Sequence, residues 1–70
     1  MQITYFNDTD TVYLKLSDKT PVETKALDNN FYIDVDDKGD IVSMTIEHAK
    51  EKANINDFSF KQIVDSTTAA

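Results

Sequence analysis

The 70-residue chain contains no cysteine, and glycine, proline and histidine occur once each. Without cysteine there is no disulfide and no thiolate metal site, and His48 alone cannot build a histidine cluster. One glycine cannot form a glycine-rich phosphate loop, and no serine or threonine stands in a nucleophile-elbow context. No apolar run approaches the roughly 20 residues that span a bilayer. The opening Met1-Gln2-Ile3-Thr4-Tyr5 carries neither a basic nor an apolar export region. A cytoplasmic location is the expectation.

Basic residues are also scarce, with 7 Lys and Arg against 13 Asp and Glu and a formal charge of −6. That field repels nucleic-acid phosphates and anionic headgroups, so neither nucleic acid nor a membrane surface is expected as a partner. It attracts a basic protein. A chain this short buries only about 60% of the surface its unfolded state exposes. With no staple available, association with a partner or a second copy is the remaining route to stability, and a homodimer is one form of it.

What is present is a period-two alternation of apolar residues from Gln2 to Glu47, broken by polar clusters, which predicts strands joined by tight turns. Strands are expected at Gln2–Phe6, Thr11–Ser17, Val22–Leu27, Phe31–Val35 and Ile41–Glu47. The inward sets read as Val12, Leu14 and Leu16, then Val22 and Thr24, then Phe31, Ile33 and Val35, then Val42, Met44 and Ile46. Pro21 suits the third strand to an edge, with Glu23 and Lys25 outward. Gly39 sits where the hairpin Asp36–Asp40 needs a positive φ. After Glu47, His48–Ala53 predicts a turn or two of helix with Ala49 and Ala53 on one face. Phe58–Asp65 reads either as a second helix burying Phe60, Ile63 and Val64 or as a strand. The expected fold is α+β, mainly β, an antiparallel β-meander of four to five strands with a short C-terminal helical segment. It forms one domain over residues 1–65, with residues 66–70 as a disordered tail.

The residues that suggest chemistry are carboxylates in turns: Asp34, Asp36, Asp37 and Asp40 on one, Asp8 and Asp10 on another. Asp34-x-Asp36-x-x-Gly39 opens like a calcium loop, but Lys38 stands where an oxygen ligand is needed and Thr45 where a closing glutamate belongs. The segment reads as a solvated hairpin tip, and no metal or cofactor is expected. A hydrolase would need a pocket pairing His48 or two carboxylates with shifted affinity for protons, and turns supply no such pocket. Aromatics on both sheet faces lack the basic neighbours of a base-stacking platform. They imply that both faces are covered, one by the C-terminal segment and the other by a second molecule.

The combination Ile3-x-Tyr5, Asp10-x-x-Tyr13-x-x-Leu16-Ser17 and Ile33-Asp34-x-Asp36-x-x-Gly39-x-Ile41-Val42 resembles the bacterial family called domain of unknown function 2283. The resemblance implies a compact β-meander finished by a short C-terminal segment, and it implies no activity. Members often carry glycine and glutamate after the hairpin and an aspartate before the alanine. Here Ser43, Thr45 and His48 occupy those places. Some members resemble neighbours of small toxin-type genes of mobile elements, which implies an antitoxin-like or inhibitor role. The leading expectation is a small acidic, non-enzymatic module that binds a basic protein through Asp34, Asp36, Asp37, Asp40, Asp8 and Asp10. The alternative is a small ligand- or metal-binding domain using the Asp34–Asp40 turn, which a calcium titration would distinguish.

Overall fold

The computed structural model of the chain describes residues 1–64. The expected disordered tail at 66–70 lies outside the described residues, as does Asp65 at the end of the C-terminal segment. Five strands, β1 (Gln2–Phe6), β2 (Thr11–Lys15), β3 (Glu23–Ala26), β4 (Phe31–Val35) and β5 (Ile41–Glu47), precede one short helix, α1 (Ala49–Lys52). They form a single antiparallel sheet in the order β1-β2-β5-β4-β3, so that every consecutive pair except β2 and β3 is a hairpin neighbour. The antiparallel meander read from the alternation is present. The pairing of β2 with β5 joins the β1–β2 hairpin to the β3–β4–β5 unit.

Register follows the period-two pattern. One cross-strand row joins Tyr5, Val12, Ile46 and Phe31, and the next joins Ile3, Leu14, Met44, Ile33 and Lys25. These rows make an apolar face. The opposite face carries Thr4, Tyr13, Thr45, Tyr32 and Ala26 in one row. A bulge near the start of β5 pairs Asp34 with Ser43 but Val35 with Ile41, leaving Val42 as the extra residue. The Val42 carbonyl accepts hydrogen bonds from both Leu16 N (2.9 Å) and Ser17 N (3.3 Å). That shared acceptor ends β2 at Lys15, two residues before the expected end.

Four expectations are corrected. Val22 was read as an inward strand residue, yet it precedes β3 and is 64% exposed. All four residues of β3 are exposed, and the turn at 27–30 sets a register in which Lys25, expected outward, lies beside Ile33 on the apolar side while Thr24 faces Asp34. A one-residue choice of register reverses every side chain of a strand, and here the turn decided it. The helix is one turn, with His48 in the left-handed region at φ 54° as its N-cap and Ala53 extended. Only Ala49 of the two alanines is buried. Phe58–Val64 is neither helix nor strand, and Phe60, Ile63 and Val64 are exposed. So short an isolated segment gains too few bonds to nucleate a helix.

The core is correspondingly small. Its buried apolar members are Val12, Val35, Val42 and Ala49. A single sheet partly covered on one side leaves apolar surface in water. No helix among the described residues is long and apolar enough to cross a membrane.

Gly39 has φ +85°, and a Cβ built there would meet nothing within 4 Å. Its requirement is therefore conformational, since a branched side chain is disfavoured at positive φ whatever space surrounds it. In urea melts Gly39→Val is expected to cost about 1–3 kcal/mol. Asp37→Ala, at an exposed neighbouring position, should cost less than about 0.5 kcal/mol. Equal costs would show that the hairpin does not depend on glycine.

Candidate functional site

Five of the six carboxylates singled out from the sequence fall into two turns at different places in the sheet, Asp34 lies within β4, and the fold uses most of them internally. In the hairpin after β4, Asp36 is buried, and its Oδ1 accepts hydrogen bonds from Lys38 N and Asp40 N, both at 2.9 Å. The backbone closes the same loop: Asp36 N donates to Asp40 O at 2.9 Å and Gly39 N to Asp36 O at 3.1 Å. An Asp side chain that captures the amides following it is the usual stabiliser of such turns. The exposed-tip expectation is thus corrected for Asp36, which is buried beneath the turn it organises.

Asp34 is held on the sheet face. Its Oδ1 accepts from Thr24 Oγ1 and its Oδ2 from Ser43 Oγ, both at 2.5 Å. Ser43 is almost wholly buried, so its hydroxyl is satisfied by this bond. Asp40 is exposed and pairs with Lys19 Nζ at 3.3 Å, the same ammonium lying 3.8 Å from Asp36 Oδ2. Lys19 therefore places a positive charge at the loop that the sequence likens to a cation site. Among the described residues no group of three or more His, Cys, Asp or Glu is arranged to hold a metal ion. Asp37 is exposed and makes no hydrogen bond or ion pair with a described residue.

Asp10, in the turn after β1, has φ 54°. Its Oδ1 accepts from the Tyr5 hydroxyl at 2.8 Å and from Lys50 N at 3.2 Å, while its carbonyl accepts from Ala49 N at 2.9 Å. Across the sheet, Asn30 accepts from Glu47 N through its carbonyl at 2.8 Å, and its Oδ1 lies 2.8 Å from His48 Nδ1. Two separate turns thus hold the exit from β5 into α1. Asn30, Lys19 and the helix-holding role of Asp10 were not legible in the sequence, because each acts on a residue distant along the chain. The one local signal was that Asp tolerates the left-handed region. Asp8, beside Asp10, is exposed and makes no hydrogen bond or ion pair with a described residue.

A concavity of another kind lies on the apolar face. Residues of the stretch 53–59 cross the apolar face beside Ile3, Tyr5, Val12, Leu14 and Ile46 and leave a groove of about 340 Å³, with Ile55 half-buried against it. Beyond it Phe58 is 68% and Phe60 82% exposed. Ser43, Thr45 and His48, at the positions where the resemblance implies glycine, glutamate and aspartate, serve respectively as the donor to Asp34, a central β5 residue and the N-cap of α1.

Two phenols are perturbed. Tyr5 is raised above its ordinary 10.0, first by burial and then by the bond to Asp10 and its charge. Tyr32 is raised chiefly by the charge of Glu47, with burial and Asp28 adding to it.

Comparison with known proteins gives one result: residues 2–50 match the profile of a family described as "Protein of unknown function (DUF2283)". No curated protein and no solved structure matches the chain.

Asp36→Ala is expected to lose about 1–3 kcal/mol in urea melts, because it strands two turn amides, whereas Asp36→Asn keeps the acceptor and should lose less. Equal losses would mean that the carbonyl oxygen is not what holds the turn. For the phenols, a raised folded value favours the protonated form. The stability they contribute is fully present below pH 10.0 and is lost as pH rises through the folded value. Tyr5→Phe should therefore weaken the alkaline decline in melting temperature, and an identical decline would exclude Tyr5 from it.

Proposed function

The chain belongs to the DUF2283 family, and we propose that it is a non-enzymatic interaction module that binds a basic protein partner, in the manner of an antitoxin or inhibitor. The observation that carries this reading is the apolar surface left uncovered on one face of the sheet, in a chain of net negative charge. The groove on the sheet continues into Phe58, Phe60, Ile63 and Val64, all exposed. Large exposed apolar groups next to one another are characteristic of surfaces that meet another protein.

Electrostatics select the partner. At a net charge of −6 the surface repels nucleic acid and anionic membranes and attracts a basic protein. Of the carboxylates first considered, Asp8 and Asp37 are the ones left free by the fold, so they are assigned the steering, with Asp40 shared with Lys19. Asp10 and Asp36 hold turns, and Asp34 ties β3 and β5 to β4. Asp10, Asp34 and Asp36 already accept internal hydrogen bonds, which favours binding over acid–base catalysis. A cysteine-free chain suits the cytoplasm.

The test is kinetic. A basic protein captured by the immobilised chain should associate on the order of 2- to 10-fold more slowly with Asp8→Asn/Asp37→Asn, with dissociation unchanged and the difference vanishing at high salt. Phe58→Asp/Phe60→Asp should accelerate dissociation instead. Unchanged rates in both variants would overturn the reading.

A further inference from the structure

The two edges of the sheet are built differently. β3 is short and carries Glu23 and Lys25, and Pro21 stands just before it, three features that discourage pairing with another strand. β1 has none of these. Its sequence Gln2-Ile3-Thr4-Tyr5-Phe6 contains no charge, proline or glycine and pairs with β2 over five consecutive positions without a bulge. Ile3 is 40% and Phe6 48% exposed. Among the described residues, the backbone of Gln2–Phe6 makes its hydrogen bonds to β2 alone, leaving the outer row of amides and carbonyls open.

We propose that β1 pairs antiparallel with β1 of a second copy of the chain, joining two five-stranded sheets edge to edge. Self-complementarity selects the occupant and charge the place. Two copies that each carry −6 repel one another, and a contact free of carboxylates adds least to that repulsion. Every other strand holds at least one ionisable acid or base, Lys15, Glu23 and Lys25, Asp34 or Glu47, and β1 holds no Asp, Glu, Lys or Arg. The strand is also self-complementary. A two-fold axis at Thr4 sets all five residues opposite partners, with Ile3 against Tyr5 of the second copy twice on the apolar face and Gln2 against Phe6 on the other. Aliphatic–aromatic pairs of this kind favour strand association. Ile3 and Tyr5 also line the apolar groove, so the pairing would cover its outer wall and enlarge a core that is otherwise small.

The proposal is independent of the basic partner, and its test uses the full chain alone. Sedimentation across micromolar to submillimolar concentrations should give twice the 7.9 kDa chain mass. Ile3→Glu should raise the dimer dissociation constant at least about tenfold, the scale of a like charge placed in a desolvated contact, with circular dichroism confirming that the sheet remains. Because the chain has no cysteine, Thr4→Cys supplies a geometric readout. Directly opposed residues lie within the 4.4–6.8 Å or so that a disulfide spans. Mild oxidation should link this variant into covalent dimers faster than Lys25→Cys on the other edge. A monomer at every concentration would overturn the proposal, as would equal cross-linking of the two cysteine variants. So would a dimer that survives Ile3→Glu but dissociates with Phe60→Asp.

Discussion

The C-terminal quarter of the described chain, from Ala49 onward, rests on Asp10. Held at φ 54°, it presents both its carboxylate and its carbonyl toward the beginning of α1. Those bonds seat Ala49, the most completely buried apolar residue, against the sheet. The Tyr5 hydroxyl fixes the same carboxylate from β1. Without this clasp the chain after β5 would lose its anchor on the β1–β2 side, and the stretch that crosses the apolar face would have no fixed starting point. Asn30 supplies the matching hold from the other side of β5.

The same economy governs the other acidic residues. In a protein with so few buried apolar groups, turn geometry has to be held by polar bonds, and Asp is the side chain best able to accept from its own downstream amides. Asp28 does this for the β3–β4 turn, bonding Asn30 N at 2.6 Å and Phe31 N at 3.0 Å, as Asp36 does for the next hairpin. The excess of acid is thus divided between carboxylates that hold turns and carboxylates that face water. Both sets contribute to the long-range field of the protein, but only carboxylates with free oxygens can make direct contacts to a partner.

Sheet geometry separates the surfaces available for contact. The apolar face and the exposed Phe58–Val64 segment present side chains, and an edge strand presents backbone. A partner protein on the face and a second copy at the edge would therefore use different chemistry, and β1 borders both because Ile3 and Tyr5 line the groove.

Alternation of apolar residues was enough to locate β1, β4 and β5 at their observed limits, and the lone Gly39 marked the hairpin that needs positive φ. Those features are local: pleat period and turn conformation are properties of neighbouring residues. Which way β3 faces and which carboxylate of the Asp36–Asp40 hairpin is buried were decided by turn geometry that the alternation does not encode, and where the chain goes after Ala53 by contacts between distant segments. Asp36 and Asp37 are adjacent and chemically identical, yet one is covered by its own turn and the other is in water. Phe58, Phe60, Ile63 and Val64 have an apolar pattern without a folded element because pattern supplies only a preference, and burial requires a surface within reach. Sequence fixes the period of a strand through bonds between neighbours. The pairing of β2 with β5 and the left-handed clasp at Asp10 depend on groups brought together only when the sheet assembles.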